Sequence, residues 1–230
     1  MPNPSVLAGA RAVVFDAYGT LFDVHSAASR HAAAVGPEAA RLSEIWRAKQ
    51  LEYTWVLSLA GRRERFWSLT ERALDHALAR CPSVDRAHRP ALLEAYRALH
   101  AFPEVPEVLS RLRENGSKTA ILSNGDPGML ADAVRSVGLG GCLDAVLSVE
   151  SAGVFKTDPR AYALVPAALD VEPREVLFVS SNRWDVAGAV AFGFHALWVN
   201  RAGMPDEYPG LDPVAVAADL RALIPAGQRP

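Results

Sequence analysis

The chain has 230 residues, half of them hydrophobic and 22% charged, with 24 basic against 26 acidic side chains and a net charge of −2. This composition excludes a disordered chain, and it lacks the basic excess of a nucleic-acid surface. A chain of this length buries a full core without disulfide staples, so its two cysteines, Cys81 and Cys142, are expected as free thiols in a reducing, cytoplasmic compartment.

The first segment, MPNPSVLAGARAVVFD, has no basic stretch ahead of its apolar part and does not read as a secretory signal. Its apolar run, 12–15, is the first predicted strand. Further short runs follow at 119–122, 145–149, 176–179 and 196–199. Each is continuous rather than alternating, the pattern of strands covered on both faces of a parallel sheet. Helical patterns at 105–115, 128–137, 159–169, 185–192 and 214–223 fall between and after them. This βαβ rhythm predicts an α/β fold, a Rossmann-like doubly wound parallel sheet.

The stretch 24–100 breaks the rhythm. It holds no β-like run, and apolar residues recur at helical spacing through Leu42, Ile45, Trp46 and Tyr53, then Phe66, Leu69, Ala73, Leu74 and Ala77. Three or four helices are expected here. The reading is therefore a core of residues 1–22 plus 101–230, with an all-helical cap, 23–100, inserted after the first strand. The last residues, from Ile224, are expected to fray. The uncharged stretch 186–200 is too short to cross a bilayer. No membrane or nucleic-acid partner is expected.

Four groups of residues fall just past the C-terminal ends of predicted strands: Asp16 to Thr20, Ser123 to Gly125, Lys156, and Ser180 to Asp185. In such a sheet all four meet at one edge, where ligands bind. Asp16 follows the apolar run directly, and a carboxylate there is costly unless paired. It reads as a nucleophile or a metal ligand, with Lys156 as its counter-ion. The six histidines show no zinc-ligand spacing, and no Walker or G-x-S-x-G motif occurs.

The segment Phe15-Asp16-Ala17-Tyr18-Gly19-Thr20-Leu21-Phe22-Asp23-Val24 resembles the first motif of the haloacid dehalogenase superfamily. The cap segment from Trp46 to Trp55, Ile121-Leu122-Ser123-Asn124-Gly125, and Phe178-Val179-Ser180-Ser181-Asn182-Arg183-Trp184-Asp185 resemble its L-2-haloacid dehalogenases, and the likeness spans essentially the whole chain. That resemblance implies hydrolysis of short L-2-haloalkanoic acids to D-2-hydroxy acids and halide through an aspartyl ester. Asp16 would be the nucleophile. Thr20, Lys156, Ser180, Asn182 and Asp185 would complete the catalytic group. Ser123 and the backbone of Ala17 and Tyr18 would hold the substrate carboxylate, with Arg47 and Asn124 holding the halide. Tyr18, Leu51, Phe66, Tyr162 and Trp184 would wall the pocket. Water and the haloacid are the only small-molecule partners implied. No cofactor or metal is expected, and the resemblance also implies a homodimer. Trp46, Trp55, Leu57 and Leu59 serve either as its interface or as plain core.

Two alternatives remain at this point: a Mg²⁺-dependent phosphatase of the same superfamily, and a non-catalytic binder of small carboxylates. Phosphatases of the superfamily carry a second aspartate two residues after the first, to protonate an alkoxide leaving group. Tyr18 occupies that position here. A halide leaves without a proton, so the missing acid fits dehalogenation. Ser180 opens the last motif where phosphatases commonly place an acid for Mg²⁺. Thr157 stands after Lys156 where the resembled family commonly has proline.

Overall fold

A computed structural model describes residues 6–224. Six strands form one sheet: β1 (Ala12–Phe15), β2 (Lys118–Ser123), β3 (Ala145–Ser148), β4 (Val176–Ser180), β5 (His195–Val199) and β6 (Ala215–Ala217). Their order is β3-β2-β1-β4-β5-β6, and all pairs are parallel. Every residue of β1 and β4 is buried, as their unbroken apolar runs require when helices cover both faces. Phe15 pairs with Ile121 on one side and Val179 on the other. Asp16 is thus the first residue beyond the sheet at the place where strand order reverses, and a crevice opens there.

Among the described residues ten α-helices accompany the strands. Five lie within the long stretch 24–100 that follows β1: α1 (Ser26–Ser29), α2 (Ala32–Val35), α3 (Ala39–Leu59), α4 (Phe66–Arg80) and α5 (Arg89–Arg97). The others are α6 (Val105–Glu114), α7 (Pro127–Ser136), α8 (Pro159–Tyr162), α9 (Leu164–Leu169) and α10 (Arg183–Phe192). Leu42 and Trp46 of α3 interlock with Leu69, Ala73 and Leu74 of α4 and with Leu92 and Tyr96 of α5, and this apolar cluster runs without a break into the sheet's core.

Three expectations are corrected. The helix foreseen over 214–223 is replaced by β6 and a short 3-10 turn, Leu220–Leu223. Alanine-rich local sequence favours helix only weakly, and pairing of Leu197 with Ala215 along the sheet edge overrides it. The helix foreseen over 159–169 is two short helices. Ile224, the start of the tail expected to fray, is buried in the core, and the residues beyond it lie outside the described part. Among the described residues no helix is long and apolar enough to cross a membrane. Both cysteines are free.

Candidate active site

The loop after β1 turns back at once on itself. Leu21 and Phe22 donate their N–H groups to the Ala17 carbonyl, and Gly19, at φ +95°, supplies the left-handed conformation this reversal needs. The turn holds Asp16 at the sheet's edge, only 6% exposed, with its own N–H bonded to the Val179 carbonyl.

Both Asp16 oxygens are occupied. Oδ1 lies 3.2 Å from Lys156 Nζ. Oδ2 accepts from Thr20 Oγ1 at 3.1 Å and from Asn182 Nδ2 at 2.8 Å. The Lys156 ammonium also lies 2.8 Å from Asp185 Oδ2, so one cation sits between two buried carboxylates. Phe178 of β4 places its ring 5.0 Å from the same nitrogen. The Lys156–Thr157 peptide is cis.

Asp185 is fully buried and sits in the first turn of α10. Ser180 Oγ donates to its Oδ2 at 3.2 Å and Tyr162 Oη to its Oδ1 at 2.7 Å. Burial raises its carboxyl to about 6, opposed by Lys156 and reinforced by the Asp16 charge. Tyr162, expected on the pocket wall, is instead a buried donor to Asp185, and burial together with that carboxylate raises its phenol well above the usual value.

The two groups expected at the halide have different partners in the structure. Half-buried Arg47 reaches from α3 across the crevice, and its Nη2 donates to the Tyr18 carbonyl at 3.1 Å and, weakly, to Asn182 Oδ1 at 3.4 Å. Asn124 instead uses its Oδ1 to accept the Lys156 backbone N–H at 2.9 Å. Buried Ser123 ends β2, and its oxygen accepts from Gly125 N at 3.1 Å. Among the described residues its O–H has no acceptor. Tyr18 is buried and stacks on Tyr96, ring centroids 5.8 Å apart, with Phe66 at 6.3 Å. Trp184 packs edge-on against Trp55 at 5.5 Å. Leu51 is half-buried on α3, and nothing in the structure ties it to the other wall residues.

Several contributors carry no motif. Tyr96 of α5 sets its hydroxyl against Arg47 and 3.2 Å from Gln50 Oε1. Gln50 Nε2 bonds Thr70 Oγ1 at 3.0 Å, and Trp46 Nε1 bonds the Thr70 carbonyl at 2.8 Å. Trp46 is therefore core. Asp126, after β2, accepts the N–H groups of Phe66 and Trp67, both at 2.9 Å, and caps the N-terminus of α4 from the sheet side. Polar residues interrupting the apolar faces of α3 and α4 (Gln50, Thr54 and Thr70) are the signal that foretells such a buried brace.

Gly188 of α10 gives a direct test of Tyr162. A methyl group there would collide with Tyr162 Oη and approach Thr157 Cγ2 to 2.9 Å. Gly188→Ala is expected to displace the phenol from Asp185 and lower kcat about tenfold or more, within the range seen for misplacement of groups near a reacting centre. Unchanged steady-state kinetics would show that the Tyr162 contact is dispensable.

Residues 10–193 match a family of hydrolases described as haloacid dehalogenase-like. The (S)-2-haloacid dehalogenase 1 of Pseudomonas sp. (strain CBS-3) is 47% identical over 199 residues, covering 86% of this chain and 88% of that protein. The (S)-2-haloacid dehalogenase 4A of Burkholderia cepacia is 46% identical, covering 86% of each. The L-2-haloacid dehalogenase of Xanthobacter autotrophicus with chloropropionic acid covalently bound superposes with a TM-score of 0.84 at 39% identity, over 92% of this chain and 95% of that one.

Proposed function

The chain belongs to the haloacid dehalogenase-like hydrolases, among the (S)-2-haloacid dehalogenases, and from that premise we propose that it hydrolyses short L-2-haloalkanoic acids to D-2-hydroxy acids and halide. The observation that carries the reading is the buried carboxylate of Asp16 with aromatic Tyr18, not an acid, two residues on. Lys156, Thr20 and Asn182 orient Asp16, and no carboxylic acid stands at position 18 to protonate a leaving group in the first step.

In the first step an Asp16 oxygen attacks C2 from the side opposite the halogen, forming an ester and expelling halide with inversion. Ser123 O–H and the N–H groups of Ala17 and Tyr18 receive the substrate carboxylate. Arg47, a permanent cation, attracts the leaving halide in a site largely shut off from water. In the second step water attacks the ester carbonyl of Asp16; the bond from that carbonyl carbon to the product oxygen breaks while the C2–oxygen bond stays intact, and the water's proton passes by way of Asp185 to the released hydroxy-acid oxygen. Asp185 takes the water's proton, held by Lys156, Ser180 and Tyr162. The Lys156 ammonium fills the space between the two carboxylates and supplies the positive charge there, which supports a metal-independent reaction.

Ester formation neutralises Asp16 and removes one of the causes that raise Asp185. The base is therefore more fully ionised in the ester than in the free enzyme. Quenched-flow measurement of ester hydrolysis is expected to place the acid limb below the value of about 6 held by Asp185 in the free enzyme. A limb at or above that value would count against Asp185 as the base.

The division into a core of 1–22 plus 101–230 and a cap of 23–100 belongs to the same proposal, as do a cytoplasmic location and a homodimer. Trp55, Val56 and Leu59 are exposed on the last turns of α3 and suit a self-association face, which a monomer in sedimentation would overturn. The test of function is halide release from separate L- and D-2-chloropropionate in excess EDTA. Release from the L-form alone is expected. Release from both forms, from neither, or only when EDTA is omitted would overturn the proposal.

A further inference from the structure

Arg47 is the cation set against the departing halide, and among the described residues its partners are neutral. Its Nη2 donates to the Tyr18 carbonyl at 3.1 Å, and the ring of that same Tyr18 stacks on Tyr96, centroids 5.8 Å apart and planes 16° apart. Tyr96 belongs to α5, is 2% exposed and also packs at 5.0 Å on Trp46, the residue before Arg47. Its hydroxyl lies against the Arg47 guanidinium. Burial raises this phenol above its ordinary value, with Arg47 and Gln50 opposing the rise, so the group is neutral at neutral pH.

A relay through the helices fixes the direction of its proton. Thr70 has one hydroxyl proton and donates it to the Phe66 carbonyl at 2.9 Å. It can therefore only accept from Gln50, whose Nε2 lies 3.0 Å away. That turns Gln50 Oε1 toward Tyr96, which donates to it at 3.2 Å. Gln50 and Thr70 are fully buried, so the relay is shielded from solvent. With its proton spent on Gln50, the phenolic oxygen keeps its lone pairs for Arg47.

The neutrality of this acceptor matters. A buried carboxylate beside Arg47 would direct the guanidinium but cancel much of its charge. A phenolic oxygen directs it and leaves that charge for an anion. As the bond from Asp16 to C2 forms, the carbon–halogen bond breaks and its electron pair leaves with the halogen. Negative charge then grows on the group that Arg47 stabilises. We propose that Tyr96 is a positioning residue for this step: its hydroxyl oxygen holds the Arg47 guanidinium for the leaving halide and so sets how well poorer leaving groups are expelled. The proposal rests on the dehalogenase reading for the origin of the anion.

The test compares L-2-chloropropionate with L-2-bromopropionate on the full chain through kcat/KM, which reports the step that expels halide. Chloride is the poorer leaving group and depends more on Arg47. Tyr96→Phe keeps the ring stack and removes the oxygen. It is expected to lower kcat/KM about tenfold for the chloride and less for the bromide, raising the bromide-to-chloride ratio at least about threefold. That variant leaves Gln50 Oε1 buried without a donor. The double variant Gln50→Met/Tyr96→Phe replaces both partners by apolar groups of similar shape, and the same shift is expected of it. Equal losses on both substrates would mean that Tyr96 only shapes the fold, which overturns the proposal, as does no loss at all. A second readout needs no turnover. Saturable quenching of tryptophan fluorescence by bromide is expected to weaken at least about threefold in apparent affinity in both variants, and unchanged affinity overturns the proposal. Halide release by the wild type separates the two readings. Release with an unchanged ratio sinks the role of Tyr96 alone. Absence of release sinks the dehalogenase reading, and bromide affinity then decides the role of Tyr96 by itself.

Discussion

Asp16→Asn is expected to abolish halide release, by about 10⁴-fold or more, as for loss of a covalent nucleophile. The amide keeps the size of the carboxylate but not its charge. An amide oxygen that attacked C2 would become a cationic imidate, which the adjacent Lys156 ammonium disfavours. The hydrogen-bond pattern also conflicts. With its oxygen toward Lys156, the new amide points its NH₂ at Asn182 Nδ2, a donor facing a donor, in place of the 2.8 Å bond of the wild type. Ser123 and the backbone groups after Asp16 are untouched, so binding of the haloacid is expected to persist while turnover stops. The route itself is checked by one turnover in H₂¹⁸O. Label found in the Asp16 carboxylate, with unlabelled hydroxy acid, is the expected result. Label in the first equivalent of product would mean that water attacked C2 directly, and Asp16 would lose its role.

The sheet was legible because its central strands are covered on both faces. Runs such as Val13-Val14-Phe15 and Leu177-Phe178-Val179 have no solvated side and read as strands without ambiguity. The edge strand β6 was not legible. Three small residues, two half-buried and one exposed, leave no pattern of their own, and only register with β5 makes them a strand. Residues at strand ends were foreseen for the same topological reason, since Asp16, Ser123 and Ser180 follow from strand boundaries alone. Partners that lie outside the motifs were not. Tyr96 and Asp126 come to the site through the packing of α4 and α5 over the sheet, a relation between distant segments that no local spacing encodes. Tyr162 was foreseen on the pocket wall, but its role as a donor to Asp185 depends on the close approach that Gly188 permits across α10.

Lys156→Met is expected to cost about 3–5 kcal/mol of stability, the range for removing one partner of a buried ion pair. Methionine preserves most of the alkyl stem, so the loss is one of charge more than of packing. Lys156 is 1% exposed and is the shared partner of Asp16 and Asp185. Without it two buried carboxylates face each other with only neutral donors. The relief open to the protein is protonation of Asp185, already raised by burial and by Asp16 and now lacking the cation that held it down. The sign of the pH effect follows. The folded state then binds a proton that the unfolded chain, with an aspartate near ~3.9, has released, so stability falls as pH rises through the raised folded value. The gap in Tm between wild type and variant is therefore expected to be small at pH 5 and large at pH 8. An equal gap at both values would show that the two carboxylates do not depend on Lys156 for their charge. Activity is expected to vanish across that range. At low pH the Asp185 base is protonated. At high pH two unbalanced carboxylates repel an anionic substrate from the same crevice.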